Sequence, residues 1–353
     1  MSRAHVAILV VAACAFPWCM AICIVVACVR QLDYLRRRLS LPPPPRATHR
    51  IVVLIPSFNV NPDGLRHTLA SCLSDPYVAL VVIADGGSTD GTLQAAQKAA
   101  ATNDRVTLVE APRGLSGRAN CLNLAAAVAA DQRDGAARGD GDAVLLFLHS
   151  DTSLPEGFGL HVVDTMSDAR VALGAFGIYT SGMRDGVYGL RGRLFSVLAN
   201  TLNNWRSAWM ETPYGDQALF CRRSTFEAVG GIPPLALMED SAFVWEARRH
   251  GDVAIVRQCV RTAAGQWSAL GPLFVMRNYL FLCAWVLGWV SEAWLHALYY
   301  AGRPLPLTPP YREIAELSRQ AVVGSPYSAP PGRQPGRRSR SRSRSRSSAR
   351  RPR

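Results

Sequence analysis

Five short motifs place residues capable of chemistry at the ends of apolar runs. Asp85-Gly86-Gly87-Ser88-Thr89-Asp90-Gly91 follows the run 78–84. A carboxylate there could accept hydrogen bonds from a nucleobase or ribose. The glycines let a ligand approach the backbone, and a helix opening at Ser88 would offer free N–H groups. The same residues would also make an ordinary tight turn with a good N-cap. Gly117-Arg118-Ala119 sets an arginine in the first turn of a helix. A cation there opposes the helix dipole and calls for an anionic partner such as a diphosphate, unless it is a plain surface arginine. His149-Ser150-Asp151 ends the run 145–148, and residues two apart on a strand face the same way. Asp151 could hold a divalent ion bridging phosphate oxygens, with His149 either a second ligand or a structural neighbour. Tyr214-Gly215-Asp216-Gln217 and Met238-Glu239-Asp240 bring further carboxylates, among them a candidate general base. Asp240 also reads as a helix N-cap.

These motifs need a scaffold that delivers strand ends and helix starts to one place. Residues 51–55 (Ile-Val-Val-Leu-Ile) form a continuous apolar run, as in a strand buried on both faces. Asn61-Pro62 reads as a helix start. Strands are expected at 78–84, 105–109 and 143–148, and helices at 88–101 and 116–130. This alternation implies a doubly wound, mostly parallel sheet with ligands at the strand C-terminal ends. Residues 171–179 and 218–222 read as strands of a mixed second half, and 240–250 as a helix.

The flanks differ in kind. Residues 6–29 are uncharged and largely apolar, long enough to cross about 30 Å of hydrocarbon as a helix. Arg30, Arg36, Arg37 and Arg38 follow, so the positive-inside rule places the next domain in the cytosol. The organisation expected is an anchor at 1–30, an Arg/Pro-rich linker at 31–50, a catalytic domain at 51–270, an apolar interfacial or membrane helix at 271–302, and a disordered Pro-rich and Arg-Ser tail at 303–353. The formal charge of +13 suggests a nucleic-acid or anionic-membrane binder. Ten of those positive charges are the arginines of 333–353, which leaves the remainder near +3. No nucleic-acid module is visible in the folded part, so specific nucleic-acid binding is not expected, and an RNA-associated role through the tail is the weakest reading. The nine cysteines show no CxxC and no zinc spacing, and read as reduced thiols.

Taken in order, Ile55-Pro56-Ser57-Phe58-Asn59, residues 85–92, Gly117-Arg118-Ala119 with Asn123, residues 146–155, residues 214–217 and residues 238–240 resemble a GT-A fold, family 2 glycosyltransferase. The chain most resembles the small "transferase 2" group associated with radical-SAM and selenodomain proteins. The resemblance implies an α/β nucleotide-diphospho-sugar transferase fold and an inverting transfer, with a UDP- or GDP-sugar as donor, Mg²⁺ or Mn²⁺ as cofactor, and an unknown acceptor, lipid-linked molecules included. It implies Asp240, or else Glu239, as the base, and Asp151 as metal ligand with His149 in place of the family's first acid. Nucleotide-sugar contacts would come from Pro56, Asn59, Asp85, Gly86, Gly87, Arg118, Asn123, Ser150, Asp216 and Gln217. Val60, Cys121, Leu122 and Gly265-Gln266 depart from the family pattern, so an inactive nucleotide-sugar-binding protein is the alternative.

Overall fold

The computed structural model describes residues 47–112, 114–131, 142–181, 189–263, 272–300 and 306–323. The anchor at 6–29, the linker up to residue 46, residues 265–267 and the Arg-Ser repeats lie outside the described residues, and residues 47–50, expected in the linker, belong to the first strand. Among the described residues, no helix is long and apolar enough to cross a membrane.

The N-terminal half alternates as expected: β1 (Ala47–Ser57), α1 (Pro62–Leu73), β2 (Val78–Asp85), α2 (Thr92–Thr102), β3 (Val106–Glu110), α3 (Arg118–Asp131) and β4 (Asp142–Phe147). β1 is buried on both faces because its side chains alternate between two cores. Ile51, Val53 and Ile55 meet one cluster with Leu65, Leu69, Phe158 and Val162. Val52 and Leu54 meet the other with Leu122, Ala125, Phe226 and Phe243. Two apolar layers with a strand between them explain the unbroken apolar run. Asn61 caps α1 by accepting from the Asp63 N–H, with Pro62 in the first turn. α2, by contrast, begins at Thr92 rather than Ser88, because Asp85 and Asp90 each draw the intervening residues into turns.

The second half comprises β5 (Thr152–Ser153), α4 (Phe158–Ser167), β6 (Val171–Ser181), α5 (Gly189–Met210), a 3₁₀ turn (Gly215–Gln217), β7 (Phe220–Arg222), α6 (Arg223–Val229), α7 (Glu239–Ala247), β8 (Asp252–Ala263), α8 (Pro272–Val286), α9 (Glu292–Tyr299) and α10 (Tyr311–Val323). The strand order is β3-β2-β1-β4-β7-β6-β8-β5. β1–β2, β2–β3, β1–β4 and β6–β8 are parallel. β7 runs antiparallel to both β4 and β6, and β5 to β8. The sheet is therefore mixed rather than mostly parallel. The order changes direction between β1 and β4, the position at which such sheets bind ligands.

Three C-terminal features depart from the sequence reading. The single helix expected over 271–302 is two helices, broken at Gly288 (φ +70°), with Ser291 capping the second through the Trp294 N–H. The segment expected to be structureless after residue 303 contains α10, whose Ile314 is fully buried and whose Tyr311 ring meets Phe226 edge-on at 5.1 Å. Cys72, Cys121, Cys221 and Cys259 are free thiols as expected, but Cys283 is in a disulfide.

Candidate active site

Just past the end of β4 lies a cavity of about 210 Å³, with Arg118, His149, Asp216, Glu239 and Asp240 among its walls. A smaller neighbouring cavity reaches from the same Arg118, His149, Glu239 and Asp240 to Pro56. Each polar group arrives from a different element. Arg118 opens α3, His149 follows β4, Asp216 sits in the 3₁₀ turn before β7, and Glu239 and Asp240 open α7.

Arg118 organises the centre. Its Nε donates to Glu239 Oε1 at 2.5 Å and its Nη2 lies 3.2 Å from Asp240 Oδ2. Its Nη1 stands 2.6 Å from His149 Nε2. The anion called for by a cation at a helix start is thus supplied by the protein itself. Burial alone would pull the guanidinium pKa down; Glu239 and Asp240 more than reverse that. Gly215 completes the arrangement by sending its N–H to Asp240 Oδ2 at 2.8 Å. A Cβ at that position would lie 3.0 Å from the same oxygen and 3.1 Å from Arg118 Nη1, so a side chain there would need both neighbours to give by a few tenths of an ångström.

The carboxylates sort by how well they are satisfied. Asp240 accepts from Gly215, Arg118 and the Ser241 N–H. Burial opposes its charge, but Arg118 and those N–H groups hold its pKa below the usual carboxylate range. Glu239 is pushed up by burial, and its Oε2 is buried without a hydrogen-bond partner. Asp216 likewise has a buried, unpartnered Oδ1, and burial, then repulsion from Asp240, raises it to about 6. Buried polar atoms are normally satisfied. Two residues that line one cavity, Glu239 and Asp216, thus each carry a carboxylate oxygen whose acceptor capacity no protein group meets. Met238, the N-cap of α7, has φ +66°, a left-handed conformation costly for a side-chain-bearing residue.

The remaining sequence-nominated residues divide. Asp85, Gly86, Gly87 and Asn59 form one turn cluster at the ends of β1 and β2. Asn59 Oδ1 accepts from the Thr89 N–H at 2.7 Å, Asn59 N–H donates to Ser88 Oγ at 3.0 Å, and Gly86 N–H donates to Ser57 O. Ser150 is buried, its carbonyl accepting from Thr68 Oγ1. Asn123 is not open to a nucleotide: it is fully buried and exchanges two hydrogen bonds with the Ile232 backbone. Gln217 lines the main cavity, with its amide engaged inside the protein: it accepts from Ser207 Oγ and the Tyr214 N–H and donates to the Phe176 carbonyl. His149 is corrected too. Its Nε2 faces a guanidinium, so it accepts a hydrogen bond instead of binding a metal, and burial together with Arg118 lowers its pKa to about 3.

Among the described residues, no group of three or more His, Cys, Asp or Glu could hold a metal ion. Asp151 is a single carboxylate outside the walls of both cavities and could supply one ligand. The residue is exposed, desolvation nonetheless raises its pKa, and the Thr152 hydroxyl is a distant 3.5 Å away. Mg²⁺ is commonly held by one or two carboxylates with substrate phosphates and water completing the shell. The cavity walls missed by sequence reasoning include Asn278, Phe281 and Leu282 from α8, Tyr299 and Tyr300 at the end of α9, and Asn203 from α5. Their signal was the aromatic density of 279–300, which fits a membrane surface and a cavity wall equally.

The family model described as "Glycosyl transferase family 2" matches residues 52–229, just over half of the chain. No curated protein matches the chain. Among solved structures, S. aureus TarS 1-349 in complex with UDP-GlcNAc is 15% identical with a TM-score of 0.43, covering 61% of this chain and 58% of that one. The mannosyltransferase PcManGT from Pyrobaculum calidifontis, in complex with GDP-Man and Mn²⁺, is 19% identical with a TM-score of 0.44, covering 88% and 86%. The chain spans 65% of the length of TarS 1-349.

Proposed function

The chain belongs to glycosyl transferase family 2, and on that premise we propose that it transfers a sugar from a nucleoside-diphosphate sugar to an acceptor hydroxyl with inversion. The observation that carries this reading is the cavity in which one arginine faces three carboxylates, two of them with an oxygen left bare. Asp240, held ionised at neutral pH, takes the acceptor proton. The acceptor oxygen then attacks the anomeric carbon as the bond to the diphosphate breaks. Glu239 fixes Arg118, whose positive charge opposes the charge developing on the leaving diphosphate. Asp216 accepts from a hydroxyl of the sugar or the acceptor. The Asp85 turn, at the ends of β1 and β2, lies where a nucleoside would rest in a doubly wound sheet.

Asp151 is the residue that would hold Mg²⁺ or Mn²⁺. When bound, such an ion neutralises the departing diphosphate. UDP- and GDP-sugars are the proposed donors, and the order of the strand-tip motifs supports the "transferase 2" subgroup. Anchoring by residues 6–29 with the catalytic domain on the cytosolic side rests on the apolar run and the arginines that follow it. Calorimetry of UDP and GDP on the full chain, with and without Mn²⁺, tests the donor assignment. Micromolar binding that is lost in Arg118→Ala is expected, and failure of both nucleotides to bind would reject it.

A further inference from the structure

We propose that residues 306–318 are a clamp that holds the turn preceding Arg118, with Leu307 and Asn120 as its positioning residues. Arg118 must present three nitrogens to three partners, so α3 has to begin at one fixed point and angle. The turn that sets this, 114–117, contains two glycines with positive φ, Gly114 at +89° and Gly117 at +119°, and is soft by composition. Its stiffness comes from the far end of the chain. Leu307 N–H donates to the Gly114 carbonyl at 3.1 Å. Asn120 Nδ2 donates to the Leu307 carbonyl, and also reaches Ser116 O at 3.3 Å within its own turn. The two segments are tied in both directions across 187 residues of sequence.

Packing closes the same contact. A Cβ on Gly114 would lie 3.1 Å from Leu307 Cδ1, and one on Gly117 3.2 Å from Pro306 Cβ. The glycines leave just enough space for this segment. The clamp is itself fastened further along: Ile314 and Ser318 are buried, and Ser318 Oγ lies 3.4 Å from Asp131 Oδ2 at the opposite end of α3. Residues 306–318 thus run beside α3 and grip it at both ends. The Pro-rich stretch supplies the stiffness, since Pro306, Pro309 and Pro310 restrict the backbone around Leu307.

The clamp stands on geometry alone; its effect on ligand binding rests on the glycosyl-transfer reading above. The test compares full-length wild type with Leu307→Pro, which removes the N–H donor, with Asn120→Asp, which removes the amide donor, and with Leu307→Met as the conservative replacement. Amide hydrogen exchange over 114–120 is expected to rise about tenfold in the first two and to stay at the wild-type level in the third. UDP or GDP affinity is expected to fall about fivefold in the same two, with the melting temperature moved by no more than about 3 °C. Unchanged exchange in both donor-removing variants overturns the clamp. Raised exchange with unchanged nucleotide affinity overturns its positioning role. If wild type binds no nucleotide, the transfer reading fails by itself, and the exchange measurement still decides the clamp.

Discussion

Asp85 and Asp216 are carboxylates in turns at two regions of one sheet, and they are treated in opposite ways. Asp85 is 1% exposed and spoken for: Oδ1 accepts from the Gly87 and Ser88 N–H groups at 2.9 and 2.7 Å, and Oδ2 from Ser88 Oγ at 2.7 Å. Asp216 lines the cavity with a buried oxygen that nothing satisfies, and its pKa is pushed up to about 6. The first arrangement stabilises a turn and shapes a surface. The second costs folding free energy, which a ligand can recover. Asp85 thus belongs to a finished turn, and Asp216 carries an oxygen that no protein group satisfies.

The largest expected effect is at the junction of the two halves. Arg118→Ala should lower kcat/KM by about a hundredfold or more. It should also reduce stability by at most about 3 kcal/mol, since Glu239 loses its partner while the arginine is only partly buried. Arg118→Lys should recover little, because an ammonium cannot reproduce the forked contacts. Next, Asp85→Ala should cost about 2 kcal/mol by stripping acceptors from three donors, read as a lower urea midpoint. Asp216→Asn should instead raise the melting temperature while activity falls about tenfold. If Asp85→Ala is stable and Asp216→Asn unstable, the contrast between the two regions is broken.

The pH dependence sharpens the same contrast. The folded pKa of Asp216 lies above its ordinary value of 3.8. Its cost to stability is therefore present in full above about pH 6 and fades as pH falls toward 4. Transfer should weaken over the same interval, as the carboxylate takes up a proton. Asp216→Asn should remove this contribution to both dependences, measured by thermal melts and rates from pH 4 to 8. The smallest effect is expected from pH at His149. With a pKa near 3 it stays neutral across this range, so its removal by His149→Gln should leave the shape of the rate profile unchanged.

What the sequence made legible follows from range. The unbroken apolar run of β1 and the Asn61-Pro62 start of α1 are local signals, and both appear in the structure as read. Arg118, His149, Glu239 and Asp240 were nominated by their positions at element ends, and one cavity gathers them. Ser88 misled because a good N-cap residue was captured by a neighbouring carboxylate. Asn123 misled because a polar side chain in a motif reads the same whether it meets a ligand or a buried carbonyl. α10 was hidden behind prolines and charges, although Tyr311, Ile314 and Ser318 recur at helical spacing. Tyr299 and Tyr300 could not be placed at the cavity, since only the fold brings α9 back to the end of β4.

Glycosyl transfer in the Arg118–Glu239–Asp240 cavity is the proposed activity. Release of UDP or GDP from a panel of nucleotide sugars tests it most directly, with water serving as acceptor where no natural one is supplied. The full chain is assayed beside Asp240→Asn and Asp85→Ala. Donor-dependent release is expected, falling about a hundredfold in Asp240→Asn, with a smaller loss in Asp85→Ala. Release from no nucleotide sugar, or release undiminished in Asp240→Asn, would contradict it.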